Sequence, residues 1–469
     1  MTTDLHGPLC AYAERLHATI GDRHHVASPL GAWLLLALSA AASNPDPTAE
    51  HAGVPDTAGD PTVPGAPAVA GERETVAAEL AAALGTDLAS AAQVARALLD
   101  APHPLVASAT ALWHRPGRGL DGTAGQRAAL PATRPGRGLD GTAGWRAALP
   151  ATTEVGALPD QAGLDAWARE HTDGLIDTFP LKVSPDVVFA LASALATRIS
   201  WAEPFEVTDA RALGPGSVWA RDLRRVLRSP SHGHRGAIAT TTRAGDVIVH
   251  AAPAQTADGS GLVVLSVAAA PDVPPGDVLA TAYHLSAGAA DGAQPAGRRS
   301  LFDLPLGDAP LWTIREERVR TRARDGREER HSAVLPCWSA RSEHDLTAES
   351  LGFPAATAAL ARALAQPAQG FEARQVAMAR YDRYGFEAAA VTGMFGTVSL
   401  PPEGVARTAE LRFGHPYAVV AVATERRPDG TTGPWHGVPV FSAWVAEPEE
   451  LSDAAPDPDR RPGSASRRA

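Results

Sequence analysis

The chain has 469 residues, of which 45% are hydrophobic and 20% charged, and this is the composition of a globular protein with a large core. Its net charge of -11 argues against nucleic acid as a partner, because binding to phosphates requires concentrated Lys and Arg. The two cysteines, Cys10 and Cys337, lie far apart in the chain, so a disulfide framework is not what stabilises the fold.

The N-terminal residues contain no basic stretch followed by an apolar run, so they do not predict an export signal. The longest apolar run, Leu30 to Ala42, is too short to span a bilayer. We therefore expect a soluble, cytoplasmic protein with no membrane partner. Export by an unrecognised route is the alternative.

The first predicted elements are two helices. Apolar residues spaced three and four apart predict a helix from Leu9 to Ile20. A second helix is predicted from Ser28 to Ser43, because Ser28 suits the N-cap and Pro29 the first helical position. This helix is apolar all round, so we expect it to be buried on every side.

A stretch rich in Pro and Gly, Asn44 to Gly71, shows no periodicity and is predicted to be a disordered insertion. A helix is then predicted from Glu72 to Leu84, with Gly85 as its stop, and a strand from Leu105 to Trp113.

A tandem duplication follows, with Arg115 to Thr133 repeated as Arg134 to Thr152. Two copies cannot build a solenoid, which needs at least three stacked units. Each copy contains a GxGxxG pattern, at Gly117, Gly119 and Gly122 and again at Gly136, Gly138 and Gly141. No convincing helix opens at the third glycine, as a dinucleotide site requires, so no cofactor is predicted.

The rest of the chain alternates helix and strand patterns. A helix is predicted from Gly163 to Ile176, and Val187 to Trp201 is apolar enough for a central strand. Further strands are predicted at Asp246 to His250, Gly261 to Ala270 and Pro416 to Thr424. The polar, Pro-rich tail from Glu449 onward is predicted to be disordered.

Charged and metal-ligating side chains do not assemble a site in the sequence. Basic runs occur at Arg221 to Arg235 and Ile314 to Arg330, but the second interleaves Arg with Glu and Asp, which favours a solvated face. The pairs His24-His25 and His232/His234 lack carboxylate or Cys companions at ligand spacing, so no metal is predicted. With no GxSxG elbow either, the chain is not expected to be an enzyme.

The segment from Tyr381 to Tyr417 is the most informative. A strand-like run, Val376 to Tyr381, leads into Gly385, then into small residues and then into a polar stretch containing Pro. By itself the segment indicates either the start of an Ala-rich helix or a long surface loop. Loops longer than roughly 12 to 15 residues inside a domain tend to be functional or disordered.

Residues Gly385 to Thr392, GFEAAAVT, resemble the hinge of the serpin family, in which Gly, a small residue and Glu precede a run of alanines. Other stretches resemble the same family in the same order, from about Leu9 to Pro448. They are VASPLGAWLLLALS, GLDAWAREHTDGLIDTF, VVFALASALATRISWAEPF, LPCWSARSEHDLTAESLGF and FGHPYAVVAVAT.

The resemblance implies an α+β serpin fold with three β-sheets, about eight or nine helices and an exposed reactive-centre loop. It implies one domain, residues 1–448, which includes the 44–71 insertion and the 115–152 duplication, and a disordered tail, 449–469. The loop, roughly Gly385 to Arg412, would be the bait for a serine protease.

The function that the resemblance implies is inhibition of a serine protease by covalent suicide-substrate trapping, as the cleaved loop inserts into a sheet. Such a protein would be a monomer without a cofactor. The alternative is a non-inhibitory binding or chaperone-like protein of the same fold, whose loop is cleaved as a plain substrate.

The hinge residues that the resemblance implies are Gly385, Phe386, Glu387, Ala388, Ala389, Ala390, Val391 and Thr392. Alternate residues of a strand face the same side, so Phe386, Ala388, Ala390 and Thr392 would enter the core. Phe386 is large for such a position, and overpacking costs roughly 1–3 kcal/mol. Arg383 stands where the family usually has Glu, and we expect it to loosen the anchoring of the loop.

The resemblance also assigns the residues that control opening of the sheet, with Gly31 where the family more often has Ser. They are Ser28, Ser193, Gln375 and Trp201. The reactive bond is predicted at Ser399-Leu400 or Val398-Ser399, which favours an elastase- or subtilisin-like protease. The alternative bond, Arg407-Thr408, would suit a trypsin-like protease.

Overall fold

A computed structural model describes residues 5–40, 66–114, 149–172, 174–180, 182–183, 187, 189–197, 200–255, 259–363, 373–385 and 402–451. The chain within these ranges forms helices packed on β-sheets, which is the α+β class that the sequence predicts. Both copies of the GxGxxG pattern lie outside the described residues.

The helices are α1 (His6–Ile20), α2 (Pro29–Ala40), α3 (Ala66–Leu84), α4 (Leu88–Leu99), α5 (Gln161–His171), α6 (Trp219–Asp222), α7 (Pro275–Ser286) and α8 (Phe353–Ala363). The helix α2 is buried on every side, as its apolar sequence predicts, with Leu35 alone half-buried. Of the helices that the structure describes, none has the length and apolar character that crossing a membrane requires.

The largest differences from the predicted helix boundaries are at α3 and α5. Residues Ala66 to Gly71 were assigned to the disordered insertion, but they form the first turns of α3. The helix α5 ends at His171, before the predicted Ile176, because Thr172 donates its hydroxyl to the Ala168 carbonyl and Gly174 adopts a φ of 78°. Positive φ favours glycine and does not continue a helix.

The strands are β1 (His25–Ala27), β2 (Val106–His114), β3 (Glu154–Ala157), β4 (Phe189–Thr197), β5 (Glu206–Asp209), β6 (Arg225–Arg228), β7 (Arg235–Thr241), β8 (Gly245–Gln255), β9 (Ser260–Ala268), β10 (Gly307–Asp308), β11 (Trp312–Arg320), β12 (Arg327–Leu335), β13 (Trp338–Asp345), β14 (Arg374–Tyr381), β15 (Glu403–Arg412), β16 (Tyr417–Glu425) and β17 (Pro439–Val445). The predicted strands at 105–113, 246–250, 261–270, 376–381 and 416–424 correspond to β2, β8, β9, β14 and β16.

Two sheets have six strands each, in the orders β1-β17-β16-β9-β8-β7 and β10-β11-β15-β12-β6-β5. In the first sheet β9 and β17 are buried along their whole length, and β16 is buried except at Glu425. Its two faces pack against different helices, α2 on one side and α7 on the other. A sheet covered on both faces reads as continuous apolar runs, which explains why these strands are visible in the sequence.

The remaining strands form a three-stranded sheet, β3-β2-β4, and a two-stranded sheet, β13-β14. The described residues therefore contain four sheets, whereas the resemblance implies three. The strand β4 lies at the edge of its sheet, although the sequence predicted a central strand. This difference leads to the candidate site.

One segment corrects the predicted start of the disordered tail. Glu449 was placed in the disordered tail, but its N–H donates to the Cys337 carbonyl at 2.7 Å, and Leu451 is buried. At the end of the duplication, Leu149 is buried and Thr152 donates its hydroxyl to the carbonyl of Leu99 in α4. The end of the second copy therefore packs against the core.

Candidate functional site

A cleft separates the edge strands β4 and β14. Each strand is paired on one side only, β4 with β2 and β14 with β13, and no ladder joins them in the described part of the chain. The cleft has a volume of about 70 Å³, and its lining includes Leu35, Trp167, Ile176, Ser193 and Gln375. A space of that size holds a few water molecules. A strand can enter only if the two sheets move apart.

One end of the cleft is closed by backbone contacts. Both β4 and β14 lead toward this end, where Ser200 and Gly385 form a bridge. The Trp201 N–H donates to the Tyr384 carbonyl at 3.3 Å, and its Nε1 donates to the Asp382 carbonyl at 2.8 Å. Trp201, which the resemblance assigns to sheet opening, is only 1% exposed.

Aromatic side chains fill the space beneath this closed end. The Trp201 ring lies 4.8 Å from the ring of Tyr381 and 5.6 Å from that of Phe205. Tyr381 and Phe205 are 5.6 Å apart, so the three rings contact one another. Aromatic contacts at such distances add roughly 0.5–1.5 kcal/mol per pair beyond the burial of their surface.

Arg383 anchors the closed end, in contrast to the expectation that it loosens the loop. Its Nε donates to the carbonyl of Phe205 at 3.1 Å, and its own carbonyl accepts the Phe205 N–H at 3.1 Å. Its guanidinium also lies over the ring of Tyr384, at 4.9 Å. Because these bonds use backbone groups, they do not require the carboxylate that the family usually has here.

Gly385 lies in a turn at the closed end. Its φ is 77°, a backbone conformation that favours glycine. The Asp382 carboxylate accepts the N–H groups of Tyr384 and Gly385, at 3.0 and 2.9 Å, and thereby holds the turn. The remaining hinge residues, Phe386 to Thr392, lie outside the described residues, as do Val398, Ser399 and Leu400.

The predicted polar residues meet where α2 begins. The Ser28 N–H donates to Gln375 Oε1 at 2.9 Å, and Gln375 Nε2 donates to the Ser28 carbonyl at 2.7 Å. Ser193 donates its hydroxyl to the Gly31 carbonyl at 3.2 Å. A Cβ on Gly31 would lie 3.3 Å from Ser28 Oγ, so glycine suits this close approach.

These contacts show how the two edges of the cleft are held. Gln375 of β14 binds Ser28, directly before α2, and Ser193 of β4 binds Gly31 in the first turn of α2. Both sheets are therefore fixed to the start of α2, while no strand ladder joins them among the residues that the structure describes. The helix α5 packs on the opposite face, with the Trp167 ring 5.1 Å from that of Trp113 in β2.

The alternative reactive bond, Arg407-Thr408, lies inside strand β15 and is corrected by the structure. Arg407 is paired in register with Glu316 of β11 and Glu329 of β12, so the strand is covered on both sides. A protease requires an accessible, unpaired segment, which this bond does not provide. Because β15 spans Glu403–Arg412, these last ten residues of the predicted loop belong to a strand.

Sequence reasoning singled out His234 but did not identify His250 as its partner at the closed end. His234 Nδ1 and His250 Nε2 lie 3.1 Å apart, and the Phe205 ring lies 4.7 Å and 5.6 Å from their rings. In the His24-His25 pair that the sequence analysis considered for metal binding, His25 also contacts another histidine, with its Nε2 2.8 Å from His17 Nδ1. No local pattern could reveal these pairs, because their partners are distant in sequence.

No protein-family model and no curated protein matches the chain. Solved serpin structures are similar to it. Cleaved Serpin 42Da has 11% identity and a TM-score of 0.52, with 96% of this chain and 98% of that chain covered. Thyroxine-binding globulin in complex with thyroxine has 11% identity and a TM-score of 0.51, with 95% of this chain and 100% of that chain covered. Mouse protein-Z dependent protease inhibitor has 10% identity and a TM-score of 0.51, with 96% of this chain and 98% of that chain covered. At these identities the likeness concerns the fold.

Proposed function

We propose that this chain, which has the serpin fold, inhibits a serine protease by offering residues 386–401 as a cleavable segment that then inserts into the cleft. The observation that carries the proposal is the pair of unpaired strand edges, β4 and β14, which face one another across a cleft beside the hinge. Unpaired edges are templates for an added strand.

The direction of the chain fits insertion. Both β4 and β14 run toward the bridge between Ser200 and Gly385. A segment that turns back at Gly385 would therefore run antiparallel to both edges and could pair with each of them. Its φ would have to change from 77° to an extended value, which glycine does with little strain.

The length of the segment also fits. At about 3.3 Å per residue, residues 386–401 can extend over roughly 50 Å. The strand β4 has nine residues and spans roughly 30 Å at the same rise. While the segment is uncut, its far end is tied to β15 at Glu403. Cleavage releases that constraint, and full insertion becomes available.

The chemistry is that of an interrupted hydrolysis. The protease serine attacks the carbonyl carbon of the reactive residue, Ser399 or Val398, and forms an ester, while the amine of the next residue leaves with a proton. Insertion then carries the acylated protease away from the hinge. Distortion of the enzyme before water attacks the ester would leave the two proteins covalently joined.

A second function, a non-inhibitory binding or chaperone-like role, is favoured by Phe386. This residue is the first of the inward-facing set, and a close-packed interior has little spare volume for it. Slow insertion would allow the ester to hydrolyse, so that the segment is cut as a plain substrate. Similarity to a thyroxine-binding serpin is consistent with such a role.

Incubation with a subtilisin- or elastase-like protease, followed by a denaturing gel, tests the proposal. We expect a band that withstands denaturant, with the summed mass of the protease and of the chain up to the cut, and its absence when the protease serine is replaced by alanine. A chain cut near Ser399 with no such band would favour the non-inhibitory function. N-terminal sequencing of the released fragment identifies the bond.

A further inference from the structure

The turn between β11 and β12 lies at the base of the proposed bait segment. The Thr321 N–H donates to the Pro402 carbonyl at 3.0 Å, and Arg320 is in register with Glu403. We call residues 318–327, at the tip of these two strands, the basic hairpin. It is therefore next to the point where residues 386–401 rejoin the fold.

The basic hairpin carries cations that the fold does not neutralise. Arg318, Arg322 and Arg324 are exposed, and within the described ranges none of them has an ion pair or a side-chain hydrogen bond. Two nearby carboxylates offset part of this positive charge. They are Asp325, which accepts the Arg327 N–H at 3.0 Å, and the exposed Glu403.

The neighbouring glutamates are engaged elsewhere. Glu316 binds Arg407 of β15 at 2.8 Å, and Glu317 binds Arg330 of β12 at 3.0 Å. Both acidic side chains of β11 therefore form ion pairs with arginines of other strands. The interleaved sequence, which predicted a solvated face of mixed charge, becomes a basic surface in the folded chain.

We propose that the basic hairpin is a docking surface for the target protease, which would present acidic side chains beside its active-site cleft. This inference rests on the proposed function. A protease bound to residues 386–401 has to cover the adjacent surface, and the basic hairpin is that surface on the C-terminal side. Opposite charges accelerate association, and a positive patch on a chain of net charge -11 directs an acidic partner to one place.

The test uses two proteases that share a preference at the reactive bond but have opposite net charge. The variant Arg318→Gln/Arg322→Gln/Arg324→Gln removes three exposed cations from the basic hairpin. The matched control, Arg73→Gln/Arg96→Gln/Arg427→Gln, removes three exposed cations from α3, α4 and the turn after β16. The second-order rate constant of trapping is measured at low and high salt.

We expect the hairpin variant to react about tenfold more slowly with the acidic protease at low salt, and equally fast at high salt. The control and the reaction with the basic protease should change little. Equal losses in both variants would overturn the proposal. An unchanged rate, with retention on a heparin or DNA column lost in the hairpin variant only, would overturn it in favour of a polyanion.

The result is separable from the proposed function. The fraction of protease that ends in a covalent band reports trapping, whereas the rate reports docking. If the protease only cuts the segment, kcat/KM for that cut replaces the trapping rate, and the same comparison of variants decides whether the basic hairpin directs docking.

Discussion

At the scale of single residues, the closed end of the cleft depends on a neutral histidine pair. His234 Nε2 lies 2.8 Å from the Glu203 carbonyl, and Nδ1 lies 3.1 Å from His250 Nε2. Burial lowers the pKa of His234 to about 4 and holds the pKa of His250 well below its usual value. Two imidazoles share a hydrogen bond only if one of them accepts it, so protonation of both would separate them.

We predict that the stability of the uncut protein falls as the pH is lowered from about 6.5 to 4. The unfolded histidines take up protons near pH 6.5, whereas His234 does so near 4, so the unfolded state binds more protons in this window. Each such group costs about 1.4 kcal/mol per pH unit. Denaturant unfolding at several pH values measures the slope.

The variant His234→Gln is the comparison that isolates the pair. Other buried histidines with a lowered pKa, such as His17, His25 and His344, contribute to the wild-type slope in the same direction. We expect a shallower slope in the variant. Equal slopes in both proteins would contradict the assignment of this pH dependence to His234.

At the scale of elements, the cleft is bounded by two strands that are pinned to one helix. Ser193 of β4 binds the first turn of α2 and Gln375 of β14 binds Ser28 directly before it, so parting the sheets must break at least one of these contacts. A hydrogen bond of this kind contributes about 1 kcal/mol net. The free energy lost when these contacts break is small compared with the free energy that a new strand would gain by pairing on both sides.

The side chains of the incoming strand decide how fast it inserts. We predict that Phe386→Ala increases the share of cleavage events that end in a covalent band, because a small side chain removes an overpacking cost of roughly 1–3 kcal/mol. Quantification of the complex and cleaved bands on one denaturing gel measures that share.

Val391→Ala is the matched control, since alternation places residue 391 on the outward face of the inserted strand. It should leave the share unchanged. If the control raised the share as much as Phe386→Ala does, the size of the inward side chain would not be the limiting factor.

At the scale of the whole molecule, the native arrangement leaves strand pairing unused. In the described chain, β4 and β14 each keep one edge without a partner strand, while the hinge beside them carries a segment long enough to fill the cleft. The proposed function requires a chain in this state to be less stable than the same chain with the segment inserted.

We predict that a single cut near Ser399 raises Tm. Insertion adds backbone hydrogen bonds on two sides and fills the cleft, and these gains appear only after β15 no longer restrains the segment. Differential scanning calorimetry before and after limited proteolysis measures the shift. A cut chain that melted at the same temperature as the intact one would rule out insertion.

The sequence by itself determined several of the elements. Local periodicity and the placement of glycine act over a few residues. They predict the buried helix α2, the apolar strands β9 and β16 and the turn at Gly385. Ser28, Ser193 and Gln375 were found through resemblance, and the structure brings them together.

Only the tertiary structure decided how distant side chains combine. Glu316 is paired with Arg407, 91 residues away, so a mixed run of charge became a basic surface. The same register placed Arg407-Thr408 in a covered strand, and Phe205 gave Arg383 an anchor that its sequence did not suggest. Contacts of this kind depend on which strands lie side by side, and the local spacing of residues does not predict which strands pair.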